Sequence, residues 1–189
     1  MTSGIEPLMT VADLEGIPDD GNRYELIEGE LYVSRAPGLT HQIVSDNIVH
    51  LIRSYLDRHP IGIIVSTIGL ILSDYNGVIP DIVFFRHEDY DRLVSNERLY
   101  SAPELVVEIL SSGSENIRRD RVAKHRLYAK YGVKEYWMVD RDQLTVEVYR
   151  LKDGALELVS KLKEHDLVET PILPNFVCAA REIFALPHL

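Results

Sequence analysis

PELVVEIL, residues 103 to 110, holds a glutamate inside a run that otherwise reads as a fully buried strand. Leu105, Val106, Val107, Ile109 and Leu110 leave no face for water, and a glutamate is almost never fully buried unless it is paired, hydrogen-bonded or bound to a metal. Glu108 therefore needs a partner. A functional carboxylate and a merely paired or edge-exposed one are both open at this point. Glu147 makes the contrast. In LTVEVYRL (144 to 151), Thr145, Glu147 and Tyr149 alternate with Leu144, Val146 and Val148, as on a half-solvated antiparallel strand, so Glu147 is expected to turn to water.

Upstream of this run, PDIVFF (80 to 85) places Asp81 after a proline, a residue tolerated at the first position of a strand. Alone, an aspartate there is an ordinary turn residue. Paired with Glu108 it means more. One carboxylate at the beginning of a strand and one inside the next could converge in a sheet, and two such oxygens suit a hard cation such as Mg²⁺ or Mn²⁺.

Further out, Ile61 to Leu72 and Ile79 to Phe85 join 105–110 as a set of three strands, separated by turn-rich stretches such as Ser73 to Gly77. Tyr24 to Val33 reads as a hairpin around Gly29. Val44, Ile48, Leu51, Ile52 and Tyr55 recur at helical spacing, which predicts an amphipathic helix to about Arg58 with Thr40 as its N-cap. A second helix is predicted from Asn116 to Tyr131, with Ala123, Leu127 and Tyr131 on one stripe and Gly132 as its stop. Thr10 to Asp13 has the form of a capping box for a short helix, and Glu135 to Val139 reads as a strand. The order of hairpin, helix, three strands, helix and two strands predicts an α/β or α+β sandwich. Beyond about Ser160 the pattern assigns nothing.

The 189 residues, 46% of them apolar, suffice for one sizeable core, so a single domain over 1–189 is expected, with its core at about 10–160. The start MTSGIEPLMT has no signal-peptide pattern, and no apolar run approaches the ~20 residues that span a bilayer, which predicts a cytoplasmic protein without membrane contact. Cys178 is the only cysteine, which excludes an internal disulfide and a cysteine-based zinc site. A net charge of −10 argues against broad clinging to nucleic acid. The charge is uneven, however. Residues 114 to 134 collect Arg118, Arg119, Arg121, Lys124, Arg126, Lys130 and Lys134 against Glu115 and Asp120, either a basic binding face or a solvated helix surface.

PDIVFF followed by the Glu108 of PELVVEIL resembles the PD-(D/E)XK nuclease signature. More closely, the chain resembles the Uma-two family of restriction endonuclease-like proteins. The carrying stretches are RYELIEGEL (23 to 31), His41 opening a helix, PDIVFF, PELVVEILSSGS (103 to 114), then Asp120, Lys124 and Tyr128 in DRVAKHRLY, and GVKEYWMVD (132 to 140). The resemblance implies a restriction endonuclease-like αβββαβ core with a mixed central sheet flanked by helices, and an N-terminal β-hairpin. It also implies Asp81, Glu108 and the Ile109 carbonyl as ligands of Mg²⁺ or Mn²⁺, and DNA as substrate of a metal-dependent endonuclease. A homodimer is one state it allows, since many DNA-cleaving enzymes pair up to cut two strands.

One departure matters. Leu110 stands where a lysine would complete E-x-K. Relatives of this type take the lysine from the following helix, and Lys124 is the matching residue here, with Asp120, Lys124 and Tyr128 at i, i+4 and i+8. The resemblance also brings His41 close to the site and promotes Glu28 to an accessory ligand. Arg118, Arg119 and Arg121 are candidate contacts to the DNA backbone. The rival reading, favoured by Leu110 and by the acidic total, is a catalytically inactive nuclease-fold module that binds protein or nucleic acid.

Overall fold

The computed structural model describes residues 8–110 and 119–186, with residues 119 and 120 described by backbone alone. A short helix α1 (Val11–Leu14) starts at Thr10, which forms the expected capping box with Asp13. The hairpin follows as β1 (Arg23–Ile27) and β2 (Glu30–Ser34), then the long helix α2 (Leu39–Leu56). The N-cap of α2 is Gly38, not Thr40, which lies one residue inside the helix.

The run from Ile61 to Leu72 is two strands rather than one, β3 (Gly62–Ser66) and β4 (Leu70–Ser73). The chain breaks direction at Thr67, whose φ of 53° no extended strand can hold. β5 (Asn76–Val78) pairs back onto β4, and β6 (Ile82–Arg86) follows. After α3 (Tyr90–Leu93) come the two-residue strands β7 (Val94–Ser95) and β8 (Arg98–Leu99), then β9 (Leu105–Ile109). Of the helix expected from Asn116 to Tyr131, residues 116–118 lie outside the described residues, Arg119–Lys124 is a π-helical stretch, and α4 covers only His125–Tyr131. That helix ends where Gly132 adopts a left-handed φ of 84°, a conformation a glycine takes at no steric cost.

β10 (Glu135–Asp140), β11 (Thr145–Lys152) and β12 (Ala155–Lys163) follow, then the small pair β13 (Leu167–Glu169) and β14 (Val177–Ala179), and α5 (Ala180–Ile183). The central sheet has the order β12-β11-β10-β9-β6-β3. It is mixed: β9 and β10 are parallel, and the remaining pairs are antiparallel. In chain order α2, β3, β6, β9, α4 and β10 form the αβββαβ core.

Alternation on these strands builds two apolar layers. Ile82, Phe84, Leu105, Val107 and Ile109 face the side covered by Val44, Ile48 and Ile52 of α2. Val83, Phe85, Val106 and Leu110 face the other side, with Leu127 and Tyr128 of α4 and with Leu70, Val78 and Leu99 of the second sheet, ordered β2-β1-β5-β4-β8-β7. Gly62 is required by packing, since a Cβ there would lie 2.4 Å from the Phe85 carbonyl oxygen and 2.6 Å from the Phe84 ring. Glu108 points between the same neighbours as Val106 and Leu110. It therefore lies beneath α4.

Candidate active site

β6 and β9 pair with Ile82 opposite Val107 and Val83 opposite Val106. One step further along that register, Asp81 lies across from Glu108. A hydrogen bond from the Ile109 N–H to Asp81 Oδ2, 2.8 Å long, ties the two strand ends together. The Asp81 carbonyl accepts from the Thr67 N–H at 3.0 Å, which fixes the residue from the β3 side as well. His41, in the first turn of α2, brings Nε2 to 3.2 Å from Asp81 Oδ2. Oδ1 of Asp81 stands 3.8 Å from the guanidinium of Arg23. Burial pushes the Asp81 carboxyl up. The hydrogen bond and charge of His41, the charge of Lys124 and the Ile109 N–H outweigh that push and hold it below its ordinary value, so Asp81 is an anion at neutral pH.

Glu108, 2% exposed, receives two donors on Oε1: Lys124 Nζ at 2.9 Å and the Tyr128 hydroxyl at 2.6 Å. Lys124 and Tyr128 lie four residues apart across the junction of the π-helical stretch and α4, on one helical face. The long reach from helix to sheet that Lys124 requires is therefore made. Burial, and then the charge of Glu108, raise the Tyr128 phenol well above its ordinary value, which keeps it a donor. Lys124 is itself buried at 2% exposure, a position an ammonium holds only among anions.

The second anion is Glu25 of β1, whose Oε1 lies 2.8 Å from Lys124 Nζ and also accepts the Ile79 N–H at 2.8 Å. Glu25 corrects the sequence expectation, which promoted Glu28. Glu28 sits in the turn of the hairpin with φ 52°, its exposed carboxylate 3.5 Å from Lys130 at the surface, and it does not join the buried group. Position in the strand could have favoured Glu25, because a carboxylate in the middle of β1 is buried by its neighbouring strands and one in a turn is not.

Two more expectations change. Glu147 does not face water; it is buried, and it takes Arg121 at 2.8 Å, Lys161 at 2.9 Å and the Tyr149 hydroxyl at 2.8 Å. Arg121 consequently directs its guanidinium to Glu147 and, at 3.5 Å, to Asp140, rather than out to a DNA backbone. Arg118, and the side chains of Arg119 and Asp120, lie outside the described residues.

The donor chemistry can be tested against a divalent ion. Among the described residues no three His, Cys, Asp or Glu side chains form a metal-holding group. Glu25 and Glu108 nevertheless place two buried carboxylates on one buried ammonium, and the buried Asp81 lies across the strands from Glu108. Asp81 and Glu108 on facing positions, with the Ile109 carbonyl beside them, are hard oxygen donors of the kind Mg²⁺ accepts while it keeps several of its waters. The residues fit such an ion.

The family model Uma2, described as "Putative restriction endonuclease", matches residues 11–181. No curated protein matches the chain. Among solved structures, a crystal structure described as "a putative nuclease belonging to DUF820" from Anabaena variabilis ATCC 29413 superposes with a TM-score of 0.74. It is 22% identical, and the match covers 93% of this chain and 97% of that one. At that identity the likeness speaks to the fold. No helix among the described residues is long and apolar enough to cross a membrane.

Proposed function

The chain belongs to the Uma2 family, and from that membership we propose that it is a divalent-metal-dependent endonuclease that hydrolyses phosphodiester bonds in DNA. The observation that carries the reading is the facing of Asp81 and Glu108 across β6 and β9, with a lysine ammonium 2.9 Å from the second carboxylate. Asp81, Glu108 and the Ile109 carbonyl would hold Mg²⁺ or Mn²⁺. When bound, such an ion polarises a phosphate and lowers the pKa of an attacking water.

The protein's own groups set up the rest. The Ile109 N–H and His41 hold Asp81 Oδ2 in place, so Oδ1 would be the oxygen offered to such an ion. Lys124, steadied by Glu25 as well as Glu108, supplies a fixed positive charge that offsets charge developing on the phosphate or orients the attacking water. Its supply from the helix takes the place of the lysine that Leu110 denies to the E-x-K motif. Tyr128 stays protonated and locks the Glu108 carboxylate by donation.

The test is Mg²⁺- or Mn²⁺-dependent nicking of supercoiled plasmid by the wild type, Asp81→Ala and Glu108→Ala. Metal-dependent nicking by the wild type, lost in both variants, is the expected result. Equal nicking by all three would remove these carboxylates from the mechanism. The rival reading as a non-catalytic module has its own observation, since Lys124 already neutralises part of the carboxylate group from within. Absence of both nicking and calorimetric Mn²⁺ binding would favour it.

A further inference from the structure

The row of side chains that crosses the central sheet through Glu108 continues well beyond it. Glu108 on β9 is in register with Met138 on β10, Met138 with Glu147 on β11, and Glu147 with Lys161 on β12. Residues paired in this way share one face of a sheet. Met138 packs in the layer of Leu127 and Tyr128, so that face is the one α4 covers. Neighbouring strands lie about 4.8 Å apart, which separates Glu108 from Glu147 by roughly 10 Å along the row. The π-helical stretch Arg119–Lys124 spans this gap, with Lys124 Nζ 2.9 Å from Glu108 and Arg121 2.8 Å from Glu147.

A π-helix is rare and occurs mostly as a short bulge at a functional site, so its register has to be held by its surroundings. This stretch has little apolar anchorage. Val122 is 41% exposed, and Ala123 adds only its methyl group to the layer below. The guanidinium of Arg121 ties it to β11 and β10, with Nη1 on Glu147 Oε2 and Nη2 3.5 Å from Asp140 Oδ2. Both acceptors are oriented independently of the arginine. Glu147 takes Lys161 on Oε1 at 2.9 Å and the Tyr149 hydroxyl on Oε2 at 2.8 Å. Asp140 uses Oδ1 for the N–H groups of Asp142 at 3.1 Å and Gln143 at 2.9 Å, which turns Oδ2 to Arg121. The helix that follows has a separate hold on the fold. Leu127 and Tyr128 are buried, and the Tyr131 hydroxyl accepts from Asn76 Nδ2 at 3.3 Å.

We propose that Arg121 is a positioning residue for the site: clamped to Glu147 and Asp140, it sets the register of the π-helical stretch and so carries the Lys124 ammonium onto Glu108 and Glu25. Arg121 touches no reacting group itself. Its consequence for catalysis rests on the nuclease reading above. The placement of Lys124 does not.

The experiment compares Arg121→Leu with the wild type and with Lys161→Met, which takes another partner from Glu147 without touching the π-helical stretch. In the first arm, exchange of the Lys124 ammonium protons with water is followed by NMR, the signal being assigned by its absence from Lys124→Arg. The Tyr128 hydroxyl proton, held by a 2.6 Å bond to Glu108, shows in the same sample whether α4 stays docked. Arg121→Leu should speed the Lys124 exchange at least about tenfold and leave the Tyr128 proton protected, because a displaced ammonium loses its buried partners while α4 keeps its own anchors. Lys161→Met should leave both signals as in the wild type. Arg121→Lys keeps the charge but not the planar fork that spans Glu147 and Asp140, and should restore only part of the protection. In the second arm, Arg121→Leu should nick plasmid with a kcat about tenfold to a hundredfold lower, its KM and its calorimetric Mn²⁺ affinity unchanged, while Lys161→Met nicks like the wild type.

Lys124 protons as well protected in Arg121→Leu as in the wild type overturn the proposal. Loss of both signals in Arg121→Leu and Arg121→Lys alike, or the same response from Lys161→Met, overturns it too, since either marks Arg121 as a support of the fold at large. If the Lys124 exchange responds but the wild type shows no metal-dependent nicking, the placement stands and the nuclease reading fails. If the wild type nicks with Mg²⁺ and Arg121→Leu nicks equally well, the positioning role fails and the nuclease reading stands.

Discussion

The ammonium of Lys124 lies 2.9 Å from Oε1 of Glu108, across a separation of 16 residues, with both side chains buried. Neither group could remain charged there alone. The relationship explains why a glutamate interrupts the apolar strand β9, and it gives the site its expected sensitivity to single substitutions.

Lys124→Met takes the ammonium away from the buried carboxylates of Glu25 and Glu108. Removing one partner of a buried pair typically costs about 3–5 kcal/mol. The variant should unfold at correspondingly lower urea, and the double variant Glu25→Gln/Lys124→Met should recover part of the loss, because it lacks one of those two charges. A double-mutant cycle on urea unfolding measures this coupling. Additive losses would show that Lys124 and Glu25 do not share their energy.

Tyr128→Phe keeps the packed ring and deletes only the donor 2.6 Å from Glu108 Oε1. A buried acceptor that loses one of its partners costs about 1–3 kcal/mol. The fold should survive with a lowered melting temperature, and metal-dependent nicking should fall without vanishing, since Lys124 still holds the carboxylate. Thermal melts and a nicking assay report the two effects separately.

Glu25 and Glu28 should separate cleanly. Glu25→Gln removes a charge 2.8 Å from Lys124 and is expected to lower nicking by about tenfold or more. Glu28→Ala removes an exposed carboxylate facing Lys130 and should change stability by no more than about 0.5 kcal/mol, with nicking unaffected. Rates measured on one plasmid at one metal concentration suffice.

Glu147 predicts an acid limb in the stability curve. Burial raises its carboxyl, but hydrogen bonds from Lys161, Tyr149 and Arg121 outweigh burial and hold it below the ordinary 4.5. A carboxyl lowered in the folded state contributes stability that is fully present above 4.5 and is lost as pH falls through the lowered value. The melting temperature of Glu147→Gln should therefore decline less steeply than that of the wild type as the solution is acidified. Parallel acid limbs would show that Glu147 is not the titrating group.

Much of this was legible in the chain itself. The apolar runs after Asp81 and around Glu108 announced β6 and β9, helical spacing announced α2 and α4, and Gly132 marked the end of α4 as it does in the structure. These signals are local, carried by residues a few positions apart. The need of Glu108 for a partner was equally plain, because it follows from the cost of desolvating a carboxylate.

Which groups meet that need was settled only by tertiary structure. Glu25 rather than Glu28 reaches Lys124 because β1 packs its middle residues inward, and Glu147 is buried because β12 and Arg121 close over a strand whose alternation alone read as half-solvated. The Ile61 to Leu72 run parted into two sheets at Thr67, a bend that composition does not show. Alternation and spacing follow from the geometry of one segment. The choice of partner depends on the register and layering of segments distant in the chain, and that is decided by how the whole core packs.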